Sequence, residues 1–173
     1  MWNEQIIMML LEGIKDTLYM TLTSTLIGYV IGLPMGILLT VTDKDGIHPN
    51  AAVYKVLDVI ANLIRSVPFL ILLIVLIPFT RFLIGRSYGP TATIVPLVIA
   101  AAPYIARMVE SSLKEVDAGV IEAARSMGAS NFTIVTKVML VEARTSLIVG
   151  ATISLGTILG YSAMAGTVGG GGL

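Results

Sequence analysis

The sequence contains no cysteine. A disulfide framework, a thiolate nucleophile and a cysteine-ligated metal site are therefore excluded. It has one histidine, His48, set in a polar stretch beside Pro49 and Asn50, where a solvated loop side chain is expected rather than a ligand or a base. There is no Gly-x-x-x-x-Gly-Lys-Ser/Thr phosphate loop, so the chain does not hydrolyse ATP by that mechanism. No carboxylate pair, Ser–His–Asp set or metal-ligand cluster falls in its apolar stretches. The chain is expected to be no enzyme on its own and to hold no cofactor and no metal. Charge is scarce as well: Asp, Glu, Lys and Arg make up 13%, against roughly 25% in soluble domains. The formal net charge is zero, which provides no basic field for nucleic acid. A cleavable leader is not expected either, because Glu4, Glu12, Lys15 and Asp16 stand where a basic n-region would be.

What fills the chain is apolar surface. Hydrophobic residues are 55% of it and the mean hydropathy is +0.90. Lipid is therefore part of its solvent, and the fold class is all-α integral membrane, one membrane domain over 1–173. A span needs about 20 apolar residues, and four stretches are expected to supply one each: 17–42, 59–82, 88–106 and 146–165. The first carries Gly28, Gly32 and Gly36 at every fourth position, and the last carries Gly156 and Gly160. That spacing lets two helix backbones approach closely, although glycine is also simply common in membrane helices. The second is interrupted by Arg65, Pro68 and Pro78, and one kinked span is expected there in preference to a re-entrant half-helix. After the last span, Gly169 to Leu173 reads as a flexible tail.

Basic residues set the orientation. With the N-terminus outside, the inner segments hold eight (Lys44, Lys55, Arg65, Arg107, Lys114, Arg125, Lys137, Arg144) and the outer ones three (Lys15, Arg81, Arg86), as the positive-inside rule favours. The segment 107–145 then lies on the cytoplasmic side. Val109, Leu113, Val116, Val120 and Ile121, and again Phe132, Val135, Val138 and Met139, recur at helical spacing, so each set is expected to form a buried stripe. Gly128 suits a helix C-terminus and Ser130 or Asn131 the next N-cap. The expectation is a cytoplasmic helix–turn–helix.

Glu122-Ala123-Ala124, three residues, then Gly128 resembles the EAA loop of bacterial ABC-type import permeases. The proline that ends the family's pattern is absent, since Val138-Met139-Leu140-Val141 stands there, so the second helix is expected to run on into the last span. Arg65-Ser-Val-Pro-Phe69, Pro78-Phe-Thr-Arg81, Ala100-Ala-Ala-Pro-Tyr-Ile-Ala-Arg107 and Val109-Glu-Ser-Ser-Leu113 are similar to the permease subunit of bacterial methionine importers. The resemblance implies a homodimeric permease in the bacterial inner membrane. It implies a pathway for methionine of either hand, worked by alternating access. Cytoplasmic ABC ATPase subunits would bind the ATP, and a methionine-binding lipoprotein would deliver the cargo. It also implies a fifth span, beyond the four counted here.

In that setting Glu122, Ala123, Ala124 and Gly128 are candidates for coupling to the ATPase. Small side chains allow close approach and Glu122 would meet a basic group, the alternative being an internal Glu122–Arg125 pair. Ser154, Thr157, Tyr161 and Met164 share one helix face and are candidates for lining the pathway. Alternatively, their hydroxyls bond to their own or a neighbouring helix. Two further readings stay open: a permease for another amino acid, and a truncated membrane scaffold that transports nothing.

Overall fold

The computed structural model describes residues 4–172, and among them the chain is helical with connecting turns and no strand. Helix α1 (Glu4–Thr42) starts well before the expected span. Glu12 and Lys15, which precede the expected span, are exposed on it. Charge is unwelcome in lipid but not in a helix. Its 39 residues reach about 58 Å at ~1.5 Å each, well beyond a hydrocarbon core of roughly 30 Å.

The second stretch is sharply bent at its middle. Helix α2 (Ala51–Ser66) is capped by Asn50, whose side chain accepts from the Val53 N–H at 3.2 Å. Helix α3 (Phe69–Val75) then departs at 102° to it. The cause is Pro68, which biases the preceding residue to extended backbone, and Val67 sits at φ −87, ψ 124. Pro78 does not kink anything; it lies in the first turn of α4 (Ile77–Ile84), where a missing N–H costs nothing. Helix α5 (Pro90–Lys114) continues past Ala106 through Arg107, so the span runs without a break into the first turns of the expected cytoplasmic helix. Among the described residues three helices, α1, α5 and α9 (Arg144–Gly166), are long and apolar enough to cross a membrane; the α2–α3 pair makes a fourth if counted as one broken span.

Helix α5 is the centre. Leu97, Ala101, Ile105, Ala106, Val109 and Leu113 on it are at most 1% exposed, and α1 lies along it. Gly28, Gly32 and Gly36 make that approach: a Cβ on Gly32 would stand 2.6 Å from the Ala102 carbonyl oxygen, and one on Gly36 2.5 Å from that of Ala106. Gly156 and Gly160 differ, having nothing within 4 Å of an added Cβ, so within this chain they pack no helix. Gly32→Ala and Gly36→Ala are therefore each expected to destabilise the chain by about 1–3 kcal/mol, the usual cost of overpacking. Gly156→Ala is expected to be neutral or better in the isolated protomer. Thermal unfolding in detergent would distinguish the two sites, and equal shifts at both would refute the packing argument.

Between α5 and α9 lie α6 (Ala118–Ser126), α7 (Asn131–Thr133), a π-helical turn (Ile134–Met139) and α8 (Leu140–Glu142). With no proline to break it, the chain from Asn131 to Gly166 is interrupted only at Ala143. The glycine tail is held rather than free: Gly169 O accepts from the Gly89 N–H at 3.0 Å, and Thr93 Oγ1 donates to Gly170 O at 3.3 Å. Leu173 lies outside the described residues.

Candidate functional site

The segment singled out in the sequence forms a compact element at the end of the bundle where α5 finishes. Asp117 opens α6 by accepting from the Gly119 N–H at 2.8 Å. Gly128 closes it at φ +83, with Ala129 N–H donating to Ala124 O at 3.1 Å and Gly128 N–H to Arg125 O at 2.9 Å. This pair of bonds is the Schellman motif, which needs a left-handed residue at the Gly128 position. Ser130 caps the next helix through the Thr133 N–H at 3.2 Å. The helix–turn–helix is thus set by three local side-chain choices.

Its faces differ from the expectation at several places, one being Val120, expected on a buried stripe and 40% exposed. Ala123 and Ala124 do not share a contact face: Ala124 is buried at 5% in the core with Ile134 and Met139, while Ala123 is exposed. Phe132, placed by its spacing on a buried stripe, is 77% exposed, and Met127 is 82% exposed. The outward surface is therefore Glu122, Ala123, Met127, Gly128 and Phe132. Sequence reasoning missed Met127 and Phe132. Both flank the turn, where helical periodicity does not apply. Glu122 has no ion-pair partner among the described residues. Arg125 turns away from it and donates to Ile47 O at 3.0 Å, fastening α6 to the loop after α1.

Next to this element is an ion cluster that the sequence reading dispersed into loops. Arg107 donates to Glu110 at 2.6 Å, to Asn62 Oδ1 at 3.0 Å and to Asp58. Lys114 meets Glu110 at 2.8 Å and Asp43 at 2.7 Å. The cluster binds the end of α1, the middle of α2 and the last turns of α5. Its Glu110 is only 5% exposed. Hydrogen bonding from Lys114 holds the Asp43 carboxyl below the ordinary 3.8. Asp43 therefore contributes its stabilisation at neutral pH and loses it only in acid, as pH falls through that lowered value.

The candidate pathway residues do not form one open face. Ser154 is fully buried and donates to Gly150 O at 2.8 Å. Thr157 donates to Ile153 O at 2.9 Å and approaches the Tyr104 hydroxyl at 3.4 Å. The Tyr161 ring stacks on Phe69, centroids 4.6 Å apart. Met164 is 44% exposed. The Ser154 and Thr157 hydroxyls are thus engaged with their own helix backbone. Among the described residues no group of three or more His, Cys, Asp or Glu could hold a metal ion.

Comparison with known proteins agrees with this architecture. Residues 7–173 match the family described as "Binding-protein-dependent transport system inner membrane component". The D-methionine transport system permease protein MetI of Salmonella typhimurium is 52% identical over 164 residues, 95% of this chain and 76% of that protein. The same permease of Escherichia coli K12 is 52% identical over the same shares of both chains. Among solved structures, the MetNI methionine ABC transporter in inward-facing conformations (CY5 native crystal form) contains a chain that superposes with a TM-score of 0.97 at 51% identity, covering 99% of this chain and 79% of that one.

Proposed function

Because the chain belongs to the family of binding-protein-dependent transport system inner membrane components, we propose that it is the permease subunit of an ABC importer and forms the translocation pathway for methionine, the D-enantiomer included. It is a multi-pass protein of the inner membrane. It works with a second copy of itself, with cytoplasmic ATPase subunits and with an extracytoplasmic binding lipoprotein. The ATP is bound by the partner; this chain is not an enzyme and needs no cofactor. The observation that carries the reading is the α6 element: an exposed Met–Phe pair and an unpaired Glu122, held rigidly by the Gly128 turn at the charged end of an otherwise lipid-facing bundle. An apolar patch of this kind outside lipid marks a protein contact. The basic residues support the orientation: leaving aside Arg65 at the break of the second stretch, seven lie on the α6 side against three on the other, the bias expected with α6 in the cytoplasm and the N-terminus outside. Glu122, Ala123, Met127 and Phe132 then contact the ATPase, while Ala124 and Gly128 shape the element that bears them.

The test is reconstitution with the ATPase subunit and binding lipoprotein in vesicles, followed by uptake of labelled D- and L-methionine. ATP-dependent accumulation of both is expected. Accumulation of a different amino acid and not methionine would overturn the cargo. No accumulation of any would overturn the transport reading.

A further inference from the structure

Near the middle of the bundle a cavity of ≈ 180 Å³ opens at the break between α2 and α3. Its walls include Arg65, Phe69, Ala100, Tyr104 and Tyr161. Ala100 and Tyr104 lie halfway along α5, Pro90 to Lys114. Arg65 lies seven residues along α2 from Asp58, the partner of Arg107, or about 10 Å further into the bundle at ~1.5 Å per residue. The volume is too small for a drug-sized ligand, which takes roughly 300–1,000 Å³, and is of the order of a single amino acid.

Arg65 is the telling residue. The apolar segment on either side of it belongs to the broken span. A cation inside a span costs about 2.5–3.5 kcal/mol even on the milder scales and is kept near a partner. Arg107, lower in the same bundle, has Asp58, Asn62 and Glu110. Arg65 has no hydrogen-bond or ion-pair partner among the described residues. Instead it stands, itself exposed in the protomer, at a cavity whose other walls are aliphatic (Ile64, Val67, Leu72, Ala100) or aromatic (Phe69, Tyr104, Tyr161). A guanidinium offers a two-pronged contact to a carboxylate. Aromatic faces attract both an ammonium group and a thioether sulfur. Broken helices are also where membrane carriers place mid-membrane solute sites, because a break opens space within the packed bundle.

We propose that this cavity is the intramembrane subsite for the amino-acid cargo, with Arg65 receiving its carboxylate and the Phe69–Tyr161 stack and Tyr104 receiving its side chain. The inference rests on the transport reading above and names the residues that meet the solute. One charge contact and one apolar wall leave the α-carbon unclamped, so both enantiomers fit. A single guanidinium holds the cargo weakly enough for it to leave.

Two measurements on the complete transporter test the proposal. In vesicles, Arg65→Ala is expected to lower methionine uptake by roughly tenfold or more, the worth of a hydrogen bond to a charged group, and Arg65→Lys to restore part of it. Co-elution with the ATPase subunit reports whether each variant is assembled. The second measurement uses the absence of cysteine from this chain: Ala100→Cys supplies one thiol per permease copy, and its modification by a small methanethiosulfonate, followed on the permease band, is expected to slow when methionine is present and not when methioninamide, which lacks the carboxylate, is present. An assembled Arg65→Ala transporter with wild-type uptake overturns the subsite and leaves the transport reading intact, as does equal modification with and without methionine. The thiol measurement keeps Arg65 and so decides the matter even if the alanine variant fails to assemble. A wild-type transporter that takes up no methionine overturns both.

Discussion

Replacing Met127 and Phe132 together by aspartate is expected to give a permease that inserts and purifies normally but no longer holds its ATPase. Both side chains are more than three-quarters exposed, at 82% and 77%, so removing them deletes little internal packing. Surface substitutions away from special features usually stay within about 0.5 kcal/mol. Their loss should therefore be felt at the interface alone. Buried aromatic and methionine anchors carry most of the energy of such contacts, typically about 2 kcal/mol or more each. Losing two, and burying two carboxylates in their place, weakens assembly by roughly a thousandfold. Co-purification of the ATPase subunit is expected to fail and uptake to fall with it. Two comparisons sharpen the result. Ala124→Asp places its charge at a site only 5% exposed and is expected to unfold the element, losing the permease as well as the partner. Glu122→Lys changes a rim charge and is expected to slow association more than it weakens the finished complex. If the double aspartate variant still co-purifies with the ATPase at wild-type yield, the docking surface lies elsewhere.

That surface was only half legible in the sequence, and the reason is local. Glu122 to Gly128 could be read because a turn with a left-handed residue imposes glycine, and the Asp117 and Ser130 caps announce the helix starts. Which side of α6 faces inward could not, because that depends on how α6 packs on the π-helical turn, a geometry with its own periodicity. A rule of three and four residues placed Phe132 inside, and it lies outside; Ala124, expected beside Ala123 at a partner's surface, is buried within the chain. The Gly28–Gly32–Gly36 stripe was legible for the opposite reason: both helices there are regular, and a period of four stays on one face. Gly156 and Gly160 have the same period on a face that meets nothing in this chain, so the pattern alone does not say whether a neighbour is present. The charges at the end of α5 were the largest omission. Read singly, Arg107, Glu110 and Lys114 look like the start of a loop. They can continue the helix because Asp43 and Asp58, distant in sequence, come back to neutralise them.

The same neutralisation sets the second large effect. The cluster holds three carboxylates, Asp43, Asp58 and Glu110, against two cations, Arg107 and Lys114. Arg107→Gln leaves three against one, with Glu110 only 5% exposed and dependent on a Lys114 that it shares with Asp43. Breaking a buried pair by removing one partner costs more than the pair contributes, because the remaining charge cannot be solvated again. About 3 kcal/mol is expected, the low end of that range, since the Asp58 side chain is 32% exposed and water relieves part of the penalty. Lys44 and Asp45 provide the contrast: they also form an ion pair, at 3.7 Å, but with side chains 85% and 83% exposed, and Lys44→Gln is expected to leave the unfolding midpoint where it was. Adding Asp58→Asn to Arg107→Gln is expected to recover part of the loss, because the stranded carboxylate goes with its partner. Such a coupling is typically about 0.5–3 kcal/mol for residues in contact. The effect reaches function because the cluster and the Arg125–Ile47 contact together join α1, α2 and α5 to the element proposed to meet the ATPase. The Arg107→Gln permease is expected to lose coupled uptake at temperatures where the wild type still transports, while retaining affinity for the ATPase through its intact Met127–Phe132 surface. An unfolding midpoint equal to the wild type's would mean that solvent already screens the cluster, and the penalty argued from its burial would not exist.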